Sequence, residues 1–173
     1  MIDPQNSALP SSVLAYIGLG SNLHHPDLQI QQARVAIANR LAGVIEIAFS
    51  SLYTSPPMGP QDQPHYINAV MAIRTTLQPL DLLHQLQQIE NIQGRIRQAQ
   101  RWVARTLDLD LLLYGEQQIH LPELTVPHIG IGDRAFVLYP LQEIAPDLTI
   151  PNLGKLTDLI KHCPLNGLVR IPA

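Results

Sequence analysis

Stretches with strand character and stretches with helix character follow one another in this chain as strand, helix, strand, strand, helix, strand. That order constrains the fold more than any other property of the sequence. Val13 to Leu19 is a short apolar run, and Gly18 and Gly20 place a glycine-rich turn at its end, before Ser21-Asn22. Pro26-Asp27-Leu28 opens a helix to about Asn39, with proline in the first turn where its missing N–H is no loss, and Gly43 marks the stop. Val44 to Tyr53, rich in Val, Ile and Phe, reads as a second strand. The prolines and glycine of Ser55 to Pro64 exclude regular structure and make a long loop, which compact folds keep mainly for function. Tyr66 to Ile73 is a third strand, Pro79 opens a second helix with Leu82, Leu86 and Ile89 at helical spacing, and Gly94 ends it. Thr106 to Tyr114 is a fourth strand, in which Leu107, Leu109 and Leu111 face the core while Asp108 and Asp110 share the other face. The expected fold is an α+β, ferredoxin-like βαββαβ sandwich: an antiparallel four-stranded sheet with helices packed on one face and the first and fourth strands in its middle. A hairpin-like piece at Gly115 to Leu121, a loop at 122–133, a helix from about Arg134 to Glu143 and a weak helix near Lys155 to His162 complete the chain. One domain is expected over residues 1–173, with 1–12 as a flexible extension and 149–173 as a tail packed on the domain.

Asp108 and Asp110 repel each other unless a cation sits between them. Oxygen ligands without a nearby Cys or His favour a hard ion, and Mg²⁺ characteristically takes one or two carboxylates plus waters and substrate phosphates. Taken alone, such a pair also fits an exposed strand face. The residues just before it change its meaning. Only 14% of the chain is charged and it holds 11 Lys and Arg, yet Arg95, Arg97, Arg101 and Arg105 fall in one short window. A solvated helical face or loop is the plain alternative for such a run, but arginines give planar, bidentate donors for phosphate oxygens, and Mg²⁺ with Arg is the electrostatic set that phosphoryl transfer needs. The cluster points to a nucleotide. Gly18-Leu19-Gly20 lacks the third glycine of a dinucleotide fingerprint and no GxxxxGK[ST] occurs, so neither a Rossmann nor a P-loop site is present.

Tyr66 and Asn68 share a face of the third strand, an aromatic plate beside an amide, suited to hold and read a flat heterocycle or to serve as a half-buried structural pair. Trp102, the single tryptophan, either stacks on a ring or anchors the Arg-rich connection to the core. His128 and Arg134 flank the last loop, where His128 is either a phosphate donor or a surface residue. The other six histidines lack ligand-like spacing and read as surface.

Four ordered segments carry a resemblance. Arg101-Trp102-Val103-Ala104-Arg105-Thr106-Leu107-Asp108-Leu109-Asp110-Leu111-Leu112 resembles the R-W-G-P-R-T-L-D-L-D motif of the hydroxymethyldihydropterin pyrophosphokinase family. Tyr16 to Leu23 is similar to that family's first strand and turn, Ser51 to Asn68 to its pterin loop and third strand, and Leu124 to His128 with Arg134-Ala135-Phe136 to its nucleotide-side loop and final helix. The resemblance covers roughly residues 13–148. It implies transfer of the diphosphate of ATP to the hydroxymethyl group of the reduced pterin, with release of AMP, in folate synthesis. It further implies that Asp108 and Asp110 hold two Mg²⁺ ions, with Asp110 also a candidate general base, and that Arg95 and Arg105 stabilise the transferred group. Gln87, Arg97, His128 and Arg134 match positions that contact ATP, with Leu111 beside the adenine. Ser55, Pro56, Met58, Tyr66, Asn68 and Phe136 match the pterin pocket, over which Trp102 closes. Val103-Ala104 stands where the family often has Gly-Pro, and Gln98 where it is often basic, which bears on loop closure and on a secondary phosphate contact.

The remaining expectations concern context. A net charge of −3 argues against a nucleic-acid binder. The longest apolar run, Val13 to Leu19, falls far short of the roughly 20 residues that span a bilayer. No signal-like start and a single cysteine, Cys163, make the cytoplasm the expected location. A monomer acting on small molecules is expected; the competing reading is a non-catalytic ferredoxin-like domain that binds a small ligand.

Overall fold

The computed structural model describes residues 11–94, 104 and 106–173. Along the chain come β1 (Val13–Ser21), α1 (Pro26–Arg40), β2 (Val44–Phe49), β3 (Tyr53–Ser55), β4 (Tyr66–Thr75), α2 (Pro79–Ile92) and β5 (Asp108–Tyr114). After these follow β6 (Ile119–His120), β7 (Thr125–Val126), α3 (Ala135–Ile144), β8 (Thr149–Ile150), β9 (Gly154–Lys155), α4 (Leu156–Lys161) and β10 (Val169–Arg170). Both long helices begin at the expected prolines, and the glycines that follow them, Gly43 and Gly94, take positive φ values of 73° and 85°, which reverse the chain at little cost.

The principal sheet is antiparallel and runs β10-β3-β4-β1-β5, with β2 also paired to β4. Its first seven elements therefore form the ferredoxin-like βαββαβ unit, once β2 and β3 are counted as the two pieces of one strand. The expected continuous strand from Val44 to Tyr53 is interrupted at Ser50 to Leu52, where a serine takes over the ladder. Ser50 N donates to Val70 O (2.9 Å), while Ser50 Oγ accepts from Val70 N (2.9 Å) and donates to Ser51 O (2.7 Å). Two expectations about the sheet need correction. The strand bearing Asp108 and Asp110 is at an edge, paired with β1, and the middle of the unit is β1 and β4. Nor is Gly18-Leu19-Gly20 a turn: both glycines lie inside β1, which continues to Ser21.

Helices cover both faces, not one. On one face Ile17, Leu19, Met71, Ile73 and Leu109 pack against Ile30, Ala33 and Ile37 of α1 and Leu82, Leu86 and Ile89 of α2. On the other, Tyr16, Val70, Ala72 and Leu112 pack against Val137, Leu138 and Leu141 of α3, and Ile150, Leu156, Cys163 and Leu168 join the same core. Fully burying one such Leu or Ile is worth about 1.5–3 kcal/mol, so each face anchors its helices firmly. The hairpin expected at Gly115 to Leu121 reaches further, since β6 pairs with β7 across Leu121 to Leu124.

Candidate active site

Strand pairing assembles the site. In register, Asp110 of β5 stands opposite Gly18 and Asp108 opposite Gly20, so both carboxylates project from the sheet face that the glycines leave bare. On the other side of β1, Asn68 of β4 stands opposite Gly20, and Ser55 of β3 stands opposite Tyr66. A Cβ at Gly20 would lie 3.5 Å from Asn68 Oδ1 and 3.9 Å from Tyr66, so glycine keeps the ground between amide and ring open.

These residues line one cavity of about 400 Å³. Ser55, Pro56, Met58, Tyr66, Asn68 and Phe136 line it together with Asp108, Asp110, His128 and Arg134. Asn68 and Ser55 are buried, and the Asn68 amide nitrogen donates to Ser55 Oγ (2.8 Å), which fixes the amide with Oδ1 toward Gly20. Met58 is exposed at the rim, and Ile129 stands almost fully in solvent beside His128.

His128 is held at both ends of its backbone and ring. Its N–H donates to Leu112 O (3.0 Å), and its Nδ1 accepts from Gly130 N (3.1 Å), which leaves the ring proton on Nε2. Nε2 faces Asp110 Oδ1 at 3.7 Å. Burial, helped by the Arg134 cation and opposed by the Asp108 carboxylate, pushes the imidazole below its usual range. At neutral pH it is therefore a neutral donor. Arg134, just before α3, lies over Gly130, where a Cβ would sit 2.3 Å from its guanidinium carbon, and its charge is 5.9 Å from the Phe136 ring centre. Glycine at 130 is what gives the guanidinium its place.

Two sequence-predicted site residues are not brought here. Leu111 is buried in the core under α1 and α2, because alternation along β5 turns it away from the aspartates; Leu112 lines the cavity instead. Gln87 lies half-buried on α2, which packs on that same opposite face. Arg95, Arg97, Arg101, Trp102 and Arg105 lie outside the described residues. The six other histidines are exposed, as expected. Sequence reasoning missed Asn22, which is buried and whose amide donates to Pro64 O (3.1 Å) and Gln63 Oε1 (3.4 Å), tying the loop after β3 to the end of β1. A polar Ser-Asn pair directly after an apolar strand was its signal.

Among the described residues no cluster of three or more His, Cys, Asp or Glu could hold a metal ion. A carboxylate pair opening on a cavity fits an ion that completes its shell with water and substrate oxygens, as Mg²⁺ does, and not a caged structural metal.

Residues 16–146 match the family model described as 7,8-dihydro-6-hydroxymethylpterin-pyrophosphokinase (HPPK). The chain belongs to the HPPK family. It is 52% identical over 157 residues to a 2-amino-4-hydroxy-6-hydroxymethyldihydropteridine pyrophosphokinase of Pseudomonas aeruginosa, covering 91% of this chain and 96% of that one. A protein of the same name from Haemophilus influenzae is 48% identical over 159 residues, 92% of this chain and 98% of the relative. Among solved structures, a wild-type HPPK-DHPS of Plasmodium falciparum superposes with a TM-score of 0.70 at 14% identity over 90% of this chain. This chain spans 44% of that longer one, and the likeness is one of fold. HPPK membership agrees with the ferredoxin-like unit and with the order of the motifs read from the sequence.

Proposed function

We infer that this chain transfers the diphosphate of ATP to 6-hydroxymethyl-7,8-dihydropterin, giving the pterin diphosphate and AMP, a step of folate synthesis. The observation that carries the reading is that one cavity joins a slot for a flat ring, lined by Tyr66, Asn68 and Phe136, to a carboxylate pair and the N–H donors His128 and Arg134. In the slot, Tyr66 and Phe136 flank the ring, and Asn68, oriented by the N–H it donates to Ser55, offers Oδ1 to the N–H groups on the pterin's pyrimidine edge. Met58 and Pro56 close the slot from the loop side. In the same cavity, neutral His128 donates from Nε2 and Arg134 from its guanidinium to phosphate oxygens.

Asp108 and Asp110 are assigned as the residues that hold two Mg²⁺ ions, which when bound neutralise phosphate charge and acidify the attacking hydroxyl. The hydroxymethyl oxygen forms a bond to the β-phosphorus as the bridging α–β P–O bond breaks, AMP leaves, and the alcohol proton passes to solvent or to Asp110. Arg95 and Arg105 are assigned to the transferred group, Arg97 to the nucleotide, and Trp102 to the cover over the pterin, by position in the motif. Holding donor and acceptor in line, with Arg134 and the metal-binding aspartates placed to offset the phosphate charge once Mg²⁺ is bound, would accelerate such a reaction. The reading takes residues 1–173 as one pyrophosphokinase domain, supported by the packing of Ile150, Leu156 and Leu168 on the sheet. It further takes the chain as a cytoplasmic monomer without nucleic-acid partners, supported by its single cysteine and its net charge of −3. No helix among the described residues is long and apolar enough to cross a membrane.

Incubation with ATP, Mg²⁺ and hydroxymethyldihydropterin, followed by chromatography, should yield AMP and pterin diphosphate in equal amounts. Formation of ADP, or no pterin product, would overturn the assignment.

A further inference from the structure

The segment after α4 contributes no side chain to the cavity, yet it is built into the strand that forms one wall of the ring slot. β10 pairs with β3, with Val169 opposite Thr54 and Arg170 opposite Tyr53, and Ile171 N donates to Leu52 O (2.8 Å). The next residue of β3 is Ser55, the acceptor that orients Asn68. Just before β10, Gly167 at φ +85° is seated on the slot's Pro56: a Cβ there would come within 2.8 Å of Pro56 Cγ and 3.1 Å of Cδ.

The helix that carries Phe136 is tied to the same segment through one carboxylate. Glu143 Oε1 accepts from Ser51 N (2.8 Å) and Ser51 Oγ (2.8 Å), and Glu143 Oε2 accepts from Tyr53 Oη (2.6 Å). Arg170 Nε donates to Ser51 Oγ (2.9 Å), and its Nη2 lies 3.5 Å from Glu143 Oε1. Glu143 sits on α3 two turns beyond Phe136, at a seven-residue spacing that keeps both on one side of the helix. A single node thus joins β3, which carries Ser55, to α3, which carries Phe136, and β10 braces it from outside.

We propose that the 167–171 segment and Glu143 form a positioning element that sets the gap between the Ser55–Pro56 wall and the Phe136 wall, and so governs capture of the pterin ring without acting on phosphoryl transfer. Gly167, lacking a side chain, lets its backbone lie close against Pro56, and Glu143 with Arg170 ties β3 to α3. None of the three lines the cavity. The inference rests on the reading of the slot as the pterin site.

The test measures pterin affinity by calorimetry without nucleotide, KM for each substrate, kcat and the thermal midpoint for the wild type and for Gly167→Ala, Glu143→Ala, Arg170→Ala and Arg170→Lys. Gly167→Ala and Glu143→Ala should raise the pterin Kd and KM about tenfold and Arg170→Ala about threefold, with ATP KM and kcat within about twofold of wild type. Arg170→Lys should recover part of the loss. Should Gly167→Ala or Glu143→Ala fail to fold, Arg170→Ala decides, its side chain being 63% exposed. Lowered thermal midpoints with an unmoved pterin KM would overturn the proposal and leave a purely structural role; so would ATP KM rising in step with pterin KM. A wild type that neither binds nor consumes the pterin would overturn the functional reading and this inference with it, whereas a normal wild type with unmoved variants overturns this inference alone.

Discussion

The same three strands, β4, β1 and β5, build two regions of opposite character on one face of the sheet. Toward one end, Tyr16, Val70, Ala72 and Leu112 meet Leu138 and Leu141 of α3 and disappear into a core. A few residues further along, Gly18, Gly20, Asn68, Asp108 and Asp110 present no apolar side chain and line the cavity, where Asp110 keeps 36% of its side chain exposed. The backbone is continuous between them, so the open region inherits the rigidity of the sealed one. Placing two glycines on the middle strand and two carboxylates across from them is what denies a helix anything to bury there. The comparison teaches that this site is a place where packing stops, held in shape by packing next door.

The largest effect should come from breaking the open region. Asp108→Asn and Asp110→Asn each remove a charge from the pair, and turnover should fall about 10³-fold or more, measured by AMP release. Stability should stay within about 0.5 kcal/mol of wild type in urea unfolding, because neither side chain belongs to a core. Near-native activity in both variants would remove the pair from the chemistry. Breaking the sealed region should do the reverse. Leu138→Ala, at a fully buried position on α3, should cost about 2–5 kcal/mol in the same unfolding experiment while ATP and pterin KM move less than about twofold.

A smaller effect sharpens the boundary between the regions. At Gly20 a methyl group finds ordinary contacts at 3.5 and 3.9 Å, so Gly20→Ala should be close to wild type. The extra methyls of Gly20→Val would enter the slot between Asn68 and Tyr66 and raise pterin KM about tenfold, leaving ATP KM unchanged. If both variants behave alike, the bare strand is not what shapes the slot. The smallest effect belongs to Tyr53, whose hydroxyl burial, together with its bond to Glu143 and that carboxylate's charge, pushes up to about 12. The folded state disfavours the phenolate, so this stability is fully present below pH of about 10, the unfolded value, and is lost as pH rises from there toward 12. Tyr53→Phe should cost about 1 kcal/mol at pH 8. It should also lose less stability than wild type between pH 8 and 11, and parallel alkaline losses would contradict the assignment.

Much of the fold was legible because its signals are local. Pro26 and Pro79 open the helices, Gly43 and Gly94 close them, and the alternation of Leu107, Leu109 and Leu111 with Asp108 and Asp110 separates the two faces of β5 correctly. What failed depends on partners that local patterns do not encode. Leu111 to Tyr114 are all buried because helices lie on both faces, and an apolar run of that kind carries no mark of the second layer. The edge position of β5 follows from topology, which alternation leaves open. Leu111 was assigned to the nucleotide by motif position, although the period of two that places Asp110 in the cavity turns Leu111 out of it. Gly18 and Gly20 read as a turn because glycine usually marks one. Here they are strand residues whose missing side chains leave the face bare. The motif residues Ser55, Pro56, Met58, Tyr66, Asn68 and Phe136, far apart in sequence, all line one cavity.

On the proposed function, the bare half of this sheet face is where metal, phosphates and pterin meet. Anomalous diffraction from crystals grown with Mn²⁺ in place of Mg²⁺, a non-hydrolysable ATP analogue and the pterin tests it directly. Metal peaks should lie between the Asp108 and Asp110 carboxylates, on the side of Gly18 and Gly20, with the pterin ring between Tyr66 and Phe136. Peaks away from the aspartate pair, or nucleotide bound in the α1–α2 groove lined by Leu28, Val35 and Ile92, would contradict it.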